Sequence, residues 1–144
     1  MPIDAVDRKI LKLLQKDAKL TTKELATQLH LTTTPVFERV KRLERDGLIR
    51  NYVALLDRKK IGLHLLAYCS VNLKEHSRPY LLEFEQKVLE LDAVVEVSHI
   101  AGGFDYLLKV IVKDMTSYQL FISEQLATLD NIGRVESFMV MKEI

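Results

Sequence analysis

The sequence predicts an α+β chain in two parts, three short helices with a small β-wing and then a β-α-β-β-α-β segment. Three observations lead there. Apolar residues recur at helical spacing near the front and at alternating, strand-like spacing in the back half. A polar stretch carrying a glycine, Asp57-Arg58-Lys59-Lys60-Ile61-Gly62, separates the two patterns and places the domains at 1–62 and 63–144. Charge divides the same way. Residues 1–62 hold 14 Lys/Arg against 8 Asp/Glu, a balance of +6, and residues 63–144 hold 7 against 12, a balance of −5, which together make the overall +1. A basic front and an acidic back suit a chain in which one domain meets a polyanion and the other does not.

The front elements follow in order. Val6, Ile10, Leu13 and Leu14 mark a first helix from Asp4 to about Lys16, with Asp4 as N-cap and Asp7 in the first turn. Thr21 and Glu24 have capping-box spacing and open a second helix carrying Leu25, Ala26 and Leu29. Thr32 caps a third helix with Pro35 in its first turn, and Gly47 is placed to end it. Leu48 to Leu55 reads as a strand, half of a small hairpin wing.

In the back half, Leu65, Ala67, Cys69, Val71 and Leu73 alternate as a strand. Pro79 starts a helix with Leu81, Phe84, Val88 and Leu91 on one face. Val94 to Ile100 is a strand, Gly102-Gly103 a turn, and Tyr106 to Val112 a strand. Asp114 to Leu129 is a helix bearing Tyr118, Phe121, Ile122, Leu126 and Leu129, and Val135 to Met141 closes the set. The order is the split βαβ, or ferredoxin-like, arrangement. Two helices on one sheet face leave the other uncovered, which implies a partner. Leu66 and Tyr68 are out of phase with the core face and are expected to meet a second subunit.

On a helical wheel of residues 33–46, Val36, Val40 and Leu43 cluster, with Phe37 at the margin. Thr34, Glu38, Lys41, Arg42 and Arg45 gather opposite. Three helices and a wing make a winged helix-turn-helix, and its third helix enters the DNA major groove. Arg and Lys donate to guanine O6 and N7 there, and Thr reaches a thymine methyl or a phosphate. Double-stranded DNA is the expected partner, met by Thr33, Thr34, Glu38, Arg39, Lys41, Arg42 and Arg45.

Other classes find no support. One cysteine, Cys69, cannot form an internal disulfide, and a reducing compartment fits it. The start, Met-Pro-Ile-Asp, does not read as a secretory signal. No apolar run approaches the roughly 20 residues of a membrane span. The expected location is the cytoplasm, with no membrane partner. His30, His64, His76 and His99 have no metal-ligand spacing. No Ser/His/Asp or Cys/His set and no phosphate-binding glycine loop is present, so neither catalysis nor a cofactor is expected.

Two long segments make the sequence familiar. The front one is Asp4-Ala5-Val6-Asp7-Arg8-Lys9-Ile10-Leu11, with Leu31 to Ile49 (LTTTPVFERVKRLERDGLI). The back one is Gly102-Gly103-Phe104-Asp105-Tyr106-Leu107-Leu108-Lys109, with Asp114-Met115 and the closing Val140-Met141-Lys142-Glu143. The chain resembles the Lrp/AsnC family over nearly its whole length, and the leucine-responsive branch within it. The resemblance implies a helix-turn-helix at residues 22–41 and a ferredoxin-like effector domain. It also implies homodimers that assemble further, up to a tetramer of dimers, with amino-acid effectors bound between effector domains. Positions that tune the effector response in similar proteins fall on His99, Asp105, Met115, Ala127 and Met139. Gly103 stands where the leucine-responsive branch carries a second acidic residue, and His99 and Ala127 stand where it carries leucines.

The candidate effector site is therefore His99, Gly102, Gly103, Asp105, Tyr106, Met115, Ala127 and Met139. In it the glycine backbone N–H groups face a ligand carboxylate and Asp105 its ammonium. The Met side chains offer adaptable apolar surface, so leucine or methionine is the first choice of ligand. A plainer reading makes the Gly-Gly-Phe-Asp segment a hairpin turn in which glycine supplies positive φ. An architectural DNA-binding protein without an effector would share every feature of the front domain.

Overall fold

The computed structural model describes residues 3–143, so the Met-Pro start of the leader reading and Ile144 lie outside it. The chain divides into two compact units between Leu55 and Leu56. The boundary thus precedes the 57–62 stretch instead of following it. The reason is Arg58, which donates to the carbonyls of Leu63 and His64 at 3.1 and 2.9 Å and to Glu143 at 2.6 and 2.9 Å. These bonds tie the polar stretch to the back unit.

In the front unit, α1 spans Ala5–Lys16, α2 Thr22–Leu29 and α3 Thr33–Arg45. Both predicted N-termini of α1 and α2 form as full capping boxes, Asp4 with Asp7 and Thr21 with Glu24. Each satisfies two helix N–H groups that have no partner within the helix. Thr32 precedes α3 without a side-chain cap bond. Gly47 follows it at φ +74°, where a side chain would be strained. The core is Ile10, Leu25, Ala26, Val36 and Leu43.

The predicted wing strand does not form. Residues 50–57 carry no strand, and Val53, Leu55 and Leu56 are exposed. A strand needs a hydrogen-bonded neighbour, and among the described residues the front unit has no second one. Two local contacts hold the start of this segment. Ile49 packs on the helical core, and Tyr52 donates to Glu44 Oε1 at 2.9 Å.

The back unit holds β1 (Leu65–Leu73), α4 (Arg78–Leu89), β2 (Val94–His99), β3 (Tyr106–Val112), α5 (Met115–Leu120) and β4 (Ile132–Met139). The sheet order is β2-β3-β1-β4 with every neighbouring pair antiparallel, the predicted ferredoxin-like arrangement. Cys69, Val71, Leu108 and Val110 of the sheet share one core with Phe84 and Val88 of α4 and with Tyr118, Phe121 and Leu126.

The last helix departs from the predicted run of 114–129. After α5 the chain makes a π-turn over Phe121–Gln125 and a 3-10 turn over Leu126–Thr128. A regular helix would aim Gln125 at the core behind Phe121, since the two are four residues apart. The wider turn absorbs an extra residue, so Gln125 is exposed and Leu126 is buried.

The opposite sheet face is partly closed within one chain. Leu66 is buried, contrary to the expectation that it waits for a second subunit. Tyr68, Leu107 and Ile111 are half-buried there, and Phe138, directly across from Tyr68, is exposed. At the irregularity between Val71 and Leu73, a Cβ on Gly133 would lie 2.9 Å from the Asn72 carbonyl oxygen. Gly133→Ala is therefore expected to cost about 1–3 kcal/mol in a urea titration, because backbone cannot yield as a side chain can. No change in the midpoint would contradict the close approach.

Candidate functional site

The exposed side of α3 carries Thr33, Thr34, Glu38, Lys41 and Arg45. Lys41 Nζ pairs with Glu44 at 3.0 Å and lies 5.8 Å from the Phe37 ring centre. Arg45 Nε reaches Asp46 at 3.2 Å. The Lys41 ammonium and the Tyr52 hydroxyl hold the Glu44 carboxyl below the ordinary range. Burial and the Glu44 charge push the Tyr52 phenol up to about 12.

Arg39 and Arg42, also predicted to meet DNA, turn the other way, toward α1. Arg39 Nη1 donates to Asp4 at 2.6 Å and to Asp7 at 2.7 Å. Arg42 Nη2 donates to the other Asp7 oxygen at 2.5 Å. Asp7 is one of two buried polar residues among those described. Sequence reasoning gave it a helix-dipole role and missed this one, because nothing in the spacing of residues 7, 39 and 42 says that α1 crosses α3 there.

At the other site, Asp105 sits where β3 begins. Its Oδ2 accepts from the Leu73 N–H at 2.7 Å and lies 3.0 Å from His76 Nε2. Its own N–H donates to the Val71 carbonyl, and its carbonyl accepts from Ile100. Burial pushes the Asp105 carboxyl up, but the Leu73 N–H and His76 outweigh it, and the group stays below the ordinary carboxylate range. Asn72 donates to the Gly103 carbonyl at 3.3 Å. His99 stacks on Tyr106 with ring centres 4.5 Å apart.

Tyr106 itself is fully buried against Phe84, and its hydroxyl donates to Glu85 at 2.8 Å. Its side chain is a core element, so a ligand-facing role does not fit it. Gly102 and Gly103 are exposed, and neither has positive φ, the property the plain turn reading assigned to them. His76, Asn72 and Glu85 escaped the sequence reading because each lies at least 20 residues from its partner along the chain.

One chain does not bring the eight effector positions together. Tyr106 pairs with Val71, and Asp105 holds Leu73, at the far end of β1. Met139 pairs with Ala67, and Met115 follows a strand whose last residue pairs with Leu65, at the near end. Ala67 and Leu73 are separated by roughly 20 Å along an extended strand. Ala127 is exposed on the 3-10 turn, and Met115 and Met139 are also exposed.

Below-range carboxyls also give a pH expectation. The Asp7 N–H and then Arg39 lower Asp4, the Ser117 N–H lowers Asp114, and Asp105 is lowered as above. A carboxyl with a depressed folded-state pKa adds stability above its unfolded value and loses it as pH falls through the folded value. Melting temperature is expected to fall once pH drops below about 4, the unfolded range. A constant melting temperature down to about pH 2.5 would contradict these bonds.

Comparison with known proteins agrees with both halves. Residues 3–50 match the model of a winged helix-turn-helix DNA-binding domain, and residues 66–144 match that of the Lrp/AsnC ligand binding domain. The chain belongs to the Lrp/AsnC family. It is 39% identical over 142 residues to the DNA-binding transcriptional activator DecR of Escherichia coli (strain K12), covering 99% of this chain and 93% of DecR. An AsnC family transcriptional regulator from Agrobacterium tumefaciens has a TM-score of 0.92 at 38% identity, over 98% of this chain and 92% of that one. A Neisseria meningitidis transcriptional regulator, solved as its L-Met complex, has a TM-score of 0.94 at 31% identity, over 99% of this chain and 92% of that one. As a member of this family the chain is a DNA-binding transcription regulator with a ligand-binding domain, and not an enzyme. No helix among the described residues is long and apolar enough to cross a membrane.

Proposed function

We propose that this regulator binds double-stranded DNA in the cytoplasm and that a neutral amino acid, methionine or leucine, alters its grip. The observation that carries the ligand class is the L-Met complex of a neighbour whose fold covers 99% of this chain. Asp105 would take the ammonium group and the exposed 102–103 backbone the carboxylate, with His99 beside them. Met115 and Met139 lie too far along the sheet to join them from the same chain, so a second copy completes the pocket. That copy docks on the sheet face bearing Tyr68 and Phe138, making a homodimer that can assemble into a tetramer of dimers. Thr33, Thr34, Glu38, Lys41 and Arg45 read the major groove, two such helices per dimer reaching two half-sites.

A thermal-shift screen of the amino acids against the full chain tests the ligand. Only what binds the folded state raises melting temperature, and methionine or leucine is expected to do so. If none does, the architectural reading takes over. One observation favours that second reading: an Asp105 oxygen already serves Leu73 and His76. DNA affinity against salt tests the other half, and a flat log K against log salt would overturn it. Light scattering that gives a 16.6 kDa monomer would overturn the dimer.

A further inference from the structure

We propose that Asp4 and Asp7 are internal counter-anions for the DNA-reading helix. They withhold Arg39 and Arg42 from phosphates and so set how far specific binding exceeds non-specific binding. The inference rests on the reading of α3 given above.

The helix carries four cations, Arg39, Lys41, Arg42 and Arg45. They fall into two classes. The Lys41 and Arg45 side chains are 58% and 74% exposed, and their partners Glu44 and Asp46 also reach water. Pairs of that kind exchange readily with solvent and with other anions. The Arg39 and Arg42 side chains are only 28% and 23% exposed, and they share a carboxylate that is 2% exposed. Both Asp7 oxygens are occupied, one by each guanidinium, and the Asp4 N–H also donates to one of them at 3.2 Å. A phosphate that drew either arginine away would weaken the pairing of a charge that has no water to retreat to.

Charge is balanced within this cluster, two carboxylates against two guanidinium groups. A capping box is ordinarily built from Ser or Thr with Glu or Gln. The one on α1 is built from two aspartates, so the residues that cap the helix also supply the counter-charge. Non-specific DNA binding is almost wholly phosphate neutralisation. Base reading depends on the groups that reach the groove floor. Withholding two cations therefore weakens non-specific binding more than specific binding.

The test is the salt dependence of full-chain binding to a duplex lacking any operator. Asp4→Asn keeps a good capping oxygen at a half-exposed position and removes one negative charge. It is expected to steepen the slope of log K against log salt by up to about 0.9 per chain and to tighten non-specific binding several-fold at low salt. Arg39→Gln is expected to leave the slope as it is, while Arg45→Gln flattens it by up to about 0.9. Asp7→Asn should steepen the slope further, but the conclusion does not depend on that variant folding.

An unchanged slope in Asp4→Asn overturns the proposal, as does a flattening of the slope by Arg39→Gln equal to that by Arg45→Gln. A merely structural cluster would lower melting temperature in Asp4→Asn without moving the slope. If Lys41→Gln and Arg45→Gln leave the slope unchanged while Asp4→Asn steepens it, the α3 reading fails and the counter-anion role stands.

Discussion

Replacing Arg39 and Arg42 together by alanine is expected to destabilise the front unit by about 3–5 kcal/mol, the usual cost of stranding a buried charge. The two guanidinium groups are the side-chain partners of Asp7, whose carboxylate is almost wholly enclosed. Without them its charge is left unpaired in a low-dielectric interior. The front unit reaches only to Leu55, and a domain of that size has roughly 3–8 kcal/mol to lose. The loss is therefore a large share of the total, from about two-fifths of it to the whole. Far-UV circular dichroism during urea titration should show the helical signal of α1 to α3 disappearing early, while the sheet unit melts near its original midpoint. Each single variant should cost less, since one guanidinium remains on Asp7. A double variant within about 0.5 kcal/mol of the parent, the range of an ordinary surface change, would remove the cluster from any account of stability.

Asp105→Ala carries the second large effect, and Asp105→Asn divides it into parts. With a ligand at about 100 times its Kd, the folded protein gains about 2.7 kcal/mol, and Asp105→Ala is expected to abolish that gain. It should also cost about 1–3 kcal/mol without ligand, because the Leu73 N–H loses its acceptor. Asp105→Asn keeps an acceptor oxygen for Leu73 and removes the charge. It should melt nearer the parent than Asp105→Ala does, yet show no shift with methionine or leucine. If Asp105→Asn still responds to the amino acid, the ammonium partner lies elsewhere and Asp105 is a turn residue. If both variants respond normally, the whole 99–106 site is misplaced. DNA binding is expected to survive Asp105→Asn, because the α3 surface belongs to the other unit.

The element order was legible because its signals are local. Cys69, Val71 and Leu73 alternate because a strand faces two ways. The Thr21 to Glu24 spacing is set by the first turn of a helix, and Gly47 stands where the chain needs positive φ. The two misread elements, the wing and the last helix, are settled by distant partners. Residues 48–55 have the apolar content of a strand, but pairing requires a neighbour that the front unit lacks among its described residues. Residues 114–129 have helical periodicity in α5, but packing against the sheet selects Leu126 over Gln125 and imposes a wider turn. The candidate sites divide on the same line. The exposure of Lys41 and Arg45 was readable from the wheel. The inward turn of Arg39 and Arg42 was not, since the wheel shows direction but not what stands opposite.

From the sequence alone came the two-domain order, the family resemblance, and the residue types available to DNA and to an amino acid. These depend on spacing, composition and charge, which are properties of the chain before it folds. Tertiary structure decided which of those residues are free. Asp7 became a buried counter-charge because α1 crosses α3, and Tyr106 became core because β3 lies at the centre of the sheet with α4 over it. Asp105 was drawn to Leu73 and His76, away from Met115 and Met139, because antiparallel register sets them at opposite ends of β1. Burial, register and long-range pairing arise only between segments far apart in the chain, and no local pattern encodes them.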